Sequence, residues 1–289
     1  MRIDMNRIRH RRLEQALQTT ALILALGGLA AFLGFLLGGP LLAGLAVALA
    51  AGGIVAGHRQ GGALLLRLHR AQPLQAPHLA AVVATLSERA GLPRPPRLLW
   101  IPSPIPNALS LVVGSQPVVA VTEGLLRQLS LRELSGVLAH EIGHIRNGDL
   151  LILTLAGSFA RFTAAIAPLG AAAALVGALL DHPPATLLGA TVALGPGLAT
   201  LLVLALSRTR EFAADLTAAE LTGDPAGLIS ALTRLERPMW RWWTQPAHPP
   251  EPSFLRTHPE TSRRIANLRT LLPQQRPVRL LSRPRVAWL

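Results

Sequence analysis

His140-Glu141-Ile142-Gly143-His144 sets two imidazoles four positions apart with a carboxylate beside the first. On a helix, such residues lie about 40° apart around the axis, so both rings face one way and can bind one divalent metal ion. Glu141 is then placed to take a proton from water activated by that ion. The chain has no cysteine, which excludes thiolate metal sites, disulfides and Cys nucleophiles. Any metal must be held by His and carboxylate groups.

A catalytic zinc takes three protein ligands and keeps a fourth position open. A third His in the extended motif of some zinc enzymes would fall at Leu150, so that solution fails. The other common solution is a Glu on a second helix. Ser207–Asp215 has helical character, and Glu211 and Asp215 share one face of it. Glu211 can reach a metal, and Asp215 can accept a hydrogen bond from a ligand imidazole and so fix its tautomer. The spacing equally suits an ordinary surface helix in which Arg208 pairs with Glu211.

The elements that must position these groups are read from charge and periodicity. From Thr19 to Gly57 the chain carries no charged residue, and Gly38-Gly39-Pro40 interrupts the run. A helix needs about 20 apolar residues to cross the hydrocarbon core, so this reads as two spans, Thr19–Leu37 and Leu41–Ala56. A second pair, Phe162–Leu180 and Ala185–Leu206, turns at Asp181-His182-Pro183-Pro184. The formal charge of +13 is all arginine on its positive side. Arg2, Arg7, Arg9, Arg11, Arg12, Arg59, Arg67, Arg70, Arg161, Arg208 and Arg210 flank the spans, and neither turn carries one. That asymmetry predicts cytoplasmic termini, and explains most of the charge without a nucleic-acid partner.

Between the pairs, Ala76–Ala90 has helical periodicity and stops at Gly91. Strands are expected at Arg97–Ile101, Ala108–Val113 and Val118–Val121. Thr122-Glu123 opens a short helix, and Ser130-Leu131-Arg132-Glu133 has capping-box spacing for a helix reaching Arg146, ended by Asn147-Gly148. The parts are expected as 1–57 (basic N-terminus and first membrane hairpin), 58–157 (cytoplasmic catalytic part with the His helix), 158–206 (second hairpin), 207–272 (third-ligand helix and C-terminal catalytic part) and 273–289 (tail). The His helix leads into the third span and the Glu211 segment leaves the fourth, so the hairpin returns both to one membrane surface. Arg237–Pro250 reads as a loop, and its Trp240, Trp242 and Trp243 can form an interfacial belt.

His140–Asp149, followed after a membrane hairpin by Ser207–Asp215, resembles the HtpX-like zinc metalloproteases, relatives of the CAAX prenyl proteases. Pro106-Asn107-Ala108-Leu109-Ser110 and Thr257-His258-Pro259-Glu260 match the same family. The resemblance implies a mainly α membrane protein with four spans in two hairpins and a cytoplasmic gluzincin-type α+β catalytic domain. It implies one zinc per chain held by His140, His144 and Glu211, with Glu141 as base. It also implies His258 near the oxyanion, Asn107 on substrate backbone beside an edge strand, and Asp149 and Asp215 behind the ligands. The expected activity is cleavage of misfolded or damaged membrane proteins on the cytoplasmic side of a bacterial inner membrane. A zinc-binding scaffold without hydrolytic activity and a prenyl-protein-type protease are the alternatives. Oligomeric state is open.

Overall fold

The computed structural model describes residues 5–236 and 261–272. Among the described residues the chain is mostly helical, with one small mixed sheet. Helix α1 (Met5–Leu68) contains the first uncharged run and leaves helical geometry at Gly38 and Gly39. A side-chain carbon placed on Gly34 would lie 2.8 Å from the carbonyl oxygen of Leu42. In an unbroken helix these residues would be about 12 Å apart. The chain therefore doubles back at the Gly-Gly-Pro break, where Gly39 adopts φ 64°, a value most other residues avoid. The returning arm runs past Gly57 to Leu68, and Leu65 and Leu66 pack on the sheet.

Helices α5 (Asp149–Leu179) and α6 (Pro183–Thr222) form the second apolar pair. They touch through glycines: a side-chain carbon on Gly170 would come within 2.7 Å of Val192 Cβ, and one on Gly177 within 2.6 Å of Thr186 N. Such small-residue seams let helix backbones approach in lipid, where no hydrophobic force drives helices together. Residues 8–49, α5 and α6 are each long and apolar enough to cross a membrane. Their outer faces expose Leu24, Leu41, Leu169, Leu179 and Leu194, whereas Leu26, Leu33, Phe162, Val192 and Leu206 fill the interior between them. Large apolar side chains on the outside suit helices solvated by lipid.

Both later helices extend beyond the apolar runs that mark them. α5 begins at Asp149, and α6 continues unbroken through the Glu211 segment. No Gly or Pro interrupts 198–222, and the helix stops only where Gly223 adopts φ 68° ahead of Pro225. The Glu211 segment is thus the continuation of a helix long and apolar enough to cross a membrane.

The sheet is formed by β1 (Gln72–Pro73), β2 (Arg97–Ile101), β3 (Ala108–Val113) and β4 (Gln116–Thr122), in the order β1-β2-β4-β3. β2 and β4 run parallel, β3 and β4 antiparallel, and β3 is an edge strand. Alternation along β4 sends Val119 and Val121 toward the helices and Val118 and Ala120 toward the end of α1. The helical side holds α2 (Pro77–Arg89), α3 (Glu123–Gln128), α4 (Leu131–Arg146), α7 (Pro225–Leu235) and α8 (Thr261–Arg269). Trp240, Trp242, Trp243 and the tail lie outside the described residues.

Helix α4 starts with the expected capping box. Glu133 accepts the backbone N–H and hydroxyl of Ser130, both at 2.8 Å, and the hydroxyl of Ser230 at 2.7 Å. Burial makes the Glu133 charge costly, but hydrogen bonds from Ser230 and Ser130 and the nearby Arg234 hold its carboxyl below the usual range. A lowered folded-state value contributes stability that is complete above the unfolded value of about 4.3 and is lost as pH falls through the folded value. Glu133→Gln is expected to cost about 1 kcal/mol at neutral pH. Thermal unfolding in detergent should show that deficit shrinking as the pH falls below about 4. A deficit independent of pH would contradict this reading.

Candidate metal centre

The site begins with an approach between two helices. A side-chain carbon on Gly143 would stand 3.1 Å from the carbonyl oxygen of Ala214 and 3.2 Å from Thr217 Cβ. Only a hydrogen fits there without displacement, so α4 lies directly on the part of α6 that follows its apolar run. Glu211 is on α6 less than a turn before Ala214, and His140 and His144 lie on the α4 face that meets it. All three side chains are buried.

Their donor atoms converge. His140 Nε2 and His144 Nε2 are 3.1 Å apart, and Glu211 carboxylate oxygens lie 3.4 Å from the first and 3.6 Å from the second. A tetrahedral zinc with bonds of about 2.0–2.1 Å has ligand–ligand edges of about 3.3 Å. This spacing and donor set fit a metal ion, and the three residues form a group able to hold one.

Each imidazole is backed by an aspartate. His144 Nδ1 lies 2.6 Å from Asp149 Oδ2, and His140 Nδ1 lies 3.0 Å from Asp215 Oδ1. Carboxylates only accept, so each Nδ1 carries a proton, and each Nε2, once deprotonated, turns its lone pair to the common point. Each aspartate is in turn clamped by a buried arginine. Arg264 donates to Asp215 through Nε at 2.8 Å and Nη2 at 2.6 Å, and Arg210 donates to Asp149. Two Arg–Asp–His arms thus back the site.

The surrounding charges favour a cation at the centre. Burial and the repulsion of Arg264 oppose a charge on His140, yet Asp215 and Glu211 outweigh them and push its pKa up to about 9. A proton and a metal ion therefore compete for Nε2. Asp215 is buried, which alone would raise its pKa, but Arg264 and His140 hold it below the usual carboxylate range.

Glu141, His140, Asn107 and Arg264 line one small cleft of about 40 Å³, together with Pro106 and Ala108 at the start of β3. The Asn107 backbone is fixed by Thr122, whose Oγ1 accepts its N–H at 2.8 Å and donates to its carbonyl at 3.1 Å. Asn107 therefore sits at the head of the edge strand beside Glu141. His258 lies outside the described residues. The sequence-read candidates His140, Glu141, His144, Glu211, Asp149, Asp215 and Asn107 are all brought together. Arg210 and Arg264 were not legible in the spacing. For Arg210 the available signal was its place beside Glu211 at the end of an apolar run. For Arg264 it was an arginine flanking the buried pair Ile265 and Leu268.

Comparison with known proteins agrees with this geometry. Residues 73–272 match the sequence profile of peptidase family M48. The chain is similar to "Protease HtpX homolog" proteins from several organisms, among them the following three. The match to that of Acaryochloris marina is 42% identical, covering 75% of this chain and 78% of the relative. That of Desulforapulum autotrophicum is 37% identical, covering 76% and 74%. That of Pyrococcus abyssi is 38% identical, covering 68% and 74%.

The contact at Gly143 gives a direct test. Gly143→Val is expected to wedge α4 from α6 and weaken metal binding by on the order of 10-fold or more, since such sites tolerate only about 0.5 Å of misplacement. Chelator competition on the purified protein measures this, with circular dichroism confirming that the helices remain. Unchanged affinity would show that the approach of α4 to α6 does not set the site.

Proposed function

The chain belongs to peptidase family M48 and is a membrane metalloprotease of the HtpX-like kind; from that premise we propose a zinc-dependent endopeptidase whose metal is held by His140, His144 and Glu211. The observation that carries this is the convergence of three donor atoms at tetrahedral spacing beside Glu141. Zinc, when bound, would lower the pKa of water and polarise a scissile carbonyl.

The chain's own residues supply the rest. Glu141, in the cleft wall next to His140, takes the proton of the attacking water and delivers it to the leaving amine. Asp149 and Asp215 keep both imidazoles in the tautomer that leaves Nε2 free. Asn107, at the head of β3, holds substrate backbone as an extended segment lies along the edge strand. His258 stabilises the oxyanion, a role carried by the family resemblance alone.

The membrane arrangement proposed here has four spans in two hairpins, the first made by the reversal of α1 at Gly38-Gly39. Arginine flanking all four spans and absent from both turns supports a catalytic part facing the cytoplasm. The polar segments 58–157 and 207–272 form that part. A centre within a few turns of the apolar helices suits misfolded or damaged membrane proteins as substrates, and a bacterial inner membrane as the location.

Wild type and Glu141→Gln, purified in detergent with zinc, separate the base from the ligands. Casein cleavage is expected to fall by about 10²- to 10⁴-fold in the variant, while bound zinc stays near one per chain. Retained cleavage would remove Glu141 from the reaction. If neither protein cleaves although both hold zinc, a non-hydrolytic scaffold becomes the better reading.

A further inference from the structure

Asp149 is almost fully buried and uses both carboxylate oxygens. Oδ2 meets His144 Nδ1, and Oδ1 accepts from Arg210. Arg210 is itself buried, and its Nη1 donates to Thr19 Oγ1 at 3.2 Å. Thr19 stands at the start of the first span, Thr19–Leu37, within α1 and is also buried. One guanidinium therefore ties the start of α5, the ligand-bearing part of α6 and the head of the first membrane helix.

We propose that Arg210 and Thr19 are positioning residues of the metal centre, so that the first membrane helix is part of the support of His144. This rests on the proposed zinc site. A carboxylate with one oxygen held by a planar guanidinium cannot rotate freely, which fixes the other oxygen on the imidazole. The guanidinium needs its own anchor, and Thr19 provides one across 191 residues of chain.

Neighbouring contacts dock the same part of α1 onto the catalytic helices. Ile8 lies in the core shared by α2, α4 and α7. Arg12 pairs with Glu220 near the end of α6, and Arg146 of α4 reaches that same carboxylate at 3.1 Å. The two histidines are thus supported differently. His140 is backed through Asp215 by Arg264 of α8, and His144 through Asp149 by an arginine anchored on α1. Loss of the Arg210–Thr19 anchor acts on His144 through Asp149.

The test uses the full chain in detergent, with zinc affinity read by chelator competition and geometry by the visible spectrum of the cobalt-substituted protein. Arg210→Gln is expected to weaken zinc about 10- to 100-fold and to change the cobalt spectrum. Arg210→Lys should recover part of the loss, and Thr19→Val should weaken zinc by about 3- to 10-fold. Glu133→Gln, destabilised away from the centre, should keep wild-type affinity and spectrum. Wild-type affinity in Arg210→Gln or Thr19→Val would overturn the proposal, as would an equal loss in Glu133→Gln. Should Arg210→Gln fail to fold, Arg210→Lys and Thr19→Val decide. A wild type that binds no zinc would instead overturn the metal site itself, together with this inference.

Discussion

The contact of α4 with α6 at Gly143 is the constraint on which the rest of the site depends. Two histidines one turn apart on α4 define a direction, and a third donor must arrive from that direction within about 3.3 Å of both. Glu211 does so because no side chain stands between the helices where Gly143 faces Ala214. The fold then works to keep that crossing in place. Gly148 at φ 67° turns the chain from α4 into α5. The seam at Gly170, Gly177 and Gly189 returns the chain along α6 to the same level.

The second constraint is charge. His140, Glu141, His144, Asp149, Arg210, Glu211, Asp215 and Arg264 are all buried. Unpaired, such groups would cost several kcal/mol each. They are tolerated because each arginine meets an aspartate and each aspartate an imidazole, leaving acceptor atoms directed at one point. Pairing of this kind gives a site orientation more than stability. Removing one member exposes the charge of its partner, so the centre should respond to substitution as a unit.

Much of this was legible in the sequence because it is local and periodic. The His helix with its cap, the strands β2 and β3 and the reversal at Gly38-Gly39-Pro40 follow from patterns a few residues long. Glu211 and Asp215 were legible as two carboxylates on one helix face, and the direction of that face was not. The continuity of α6 was also hidden, since the change from apolar to polar at Ser207 marks an altered environment, not a break in the helix. Arg264 and Arg210 were missed for another reason. A guanidinium fork finds its carboxylate through tertiary approach, and the separation of 49 positions from Asp215 to Arg264 carries no period that reports it. In a chain with 28 basic residues, nothing local separates these arginines from those that flank the membrane.

X-ray absorption at the zinc edge of the detergent-purified chain, compared with Glu211→Ala, tests the central claim most directly. The account predicts about one zinc per chain, with light-atom ligands near 2.0–2.1 Å that include two imidazoles. In Glu211→Ala it predicts loss of one oxygen ligand or of the metal. Zinc bound with the same coordination in both proteins, or no zinc in the wild type, would contradict the account.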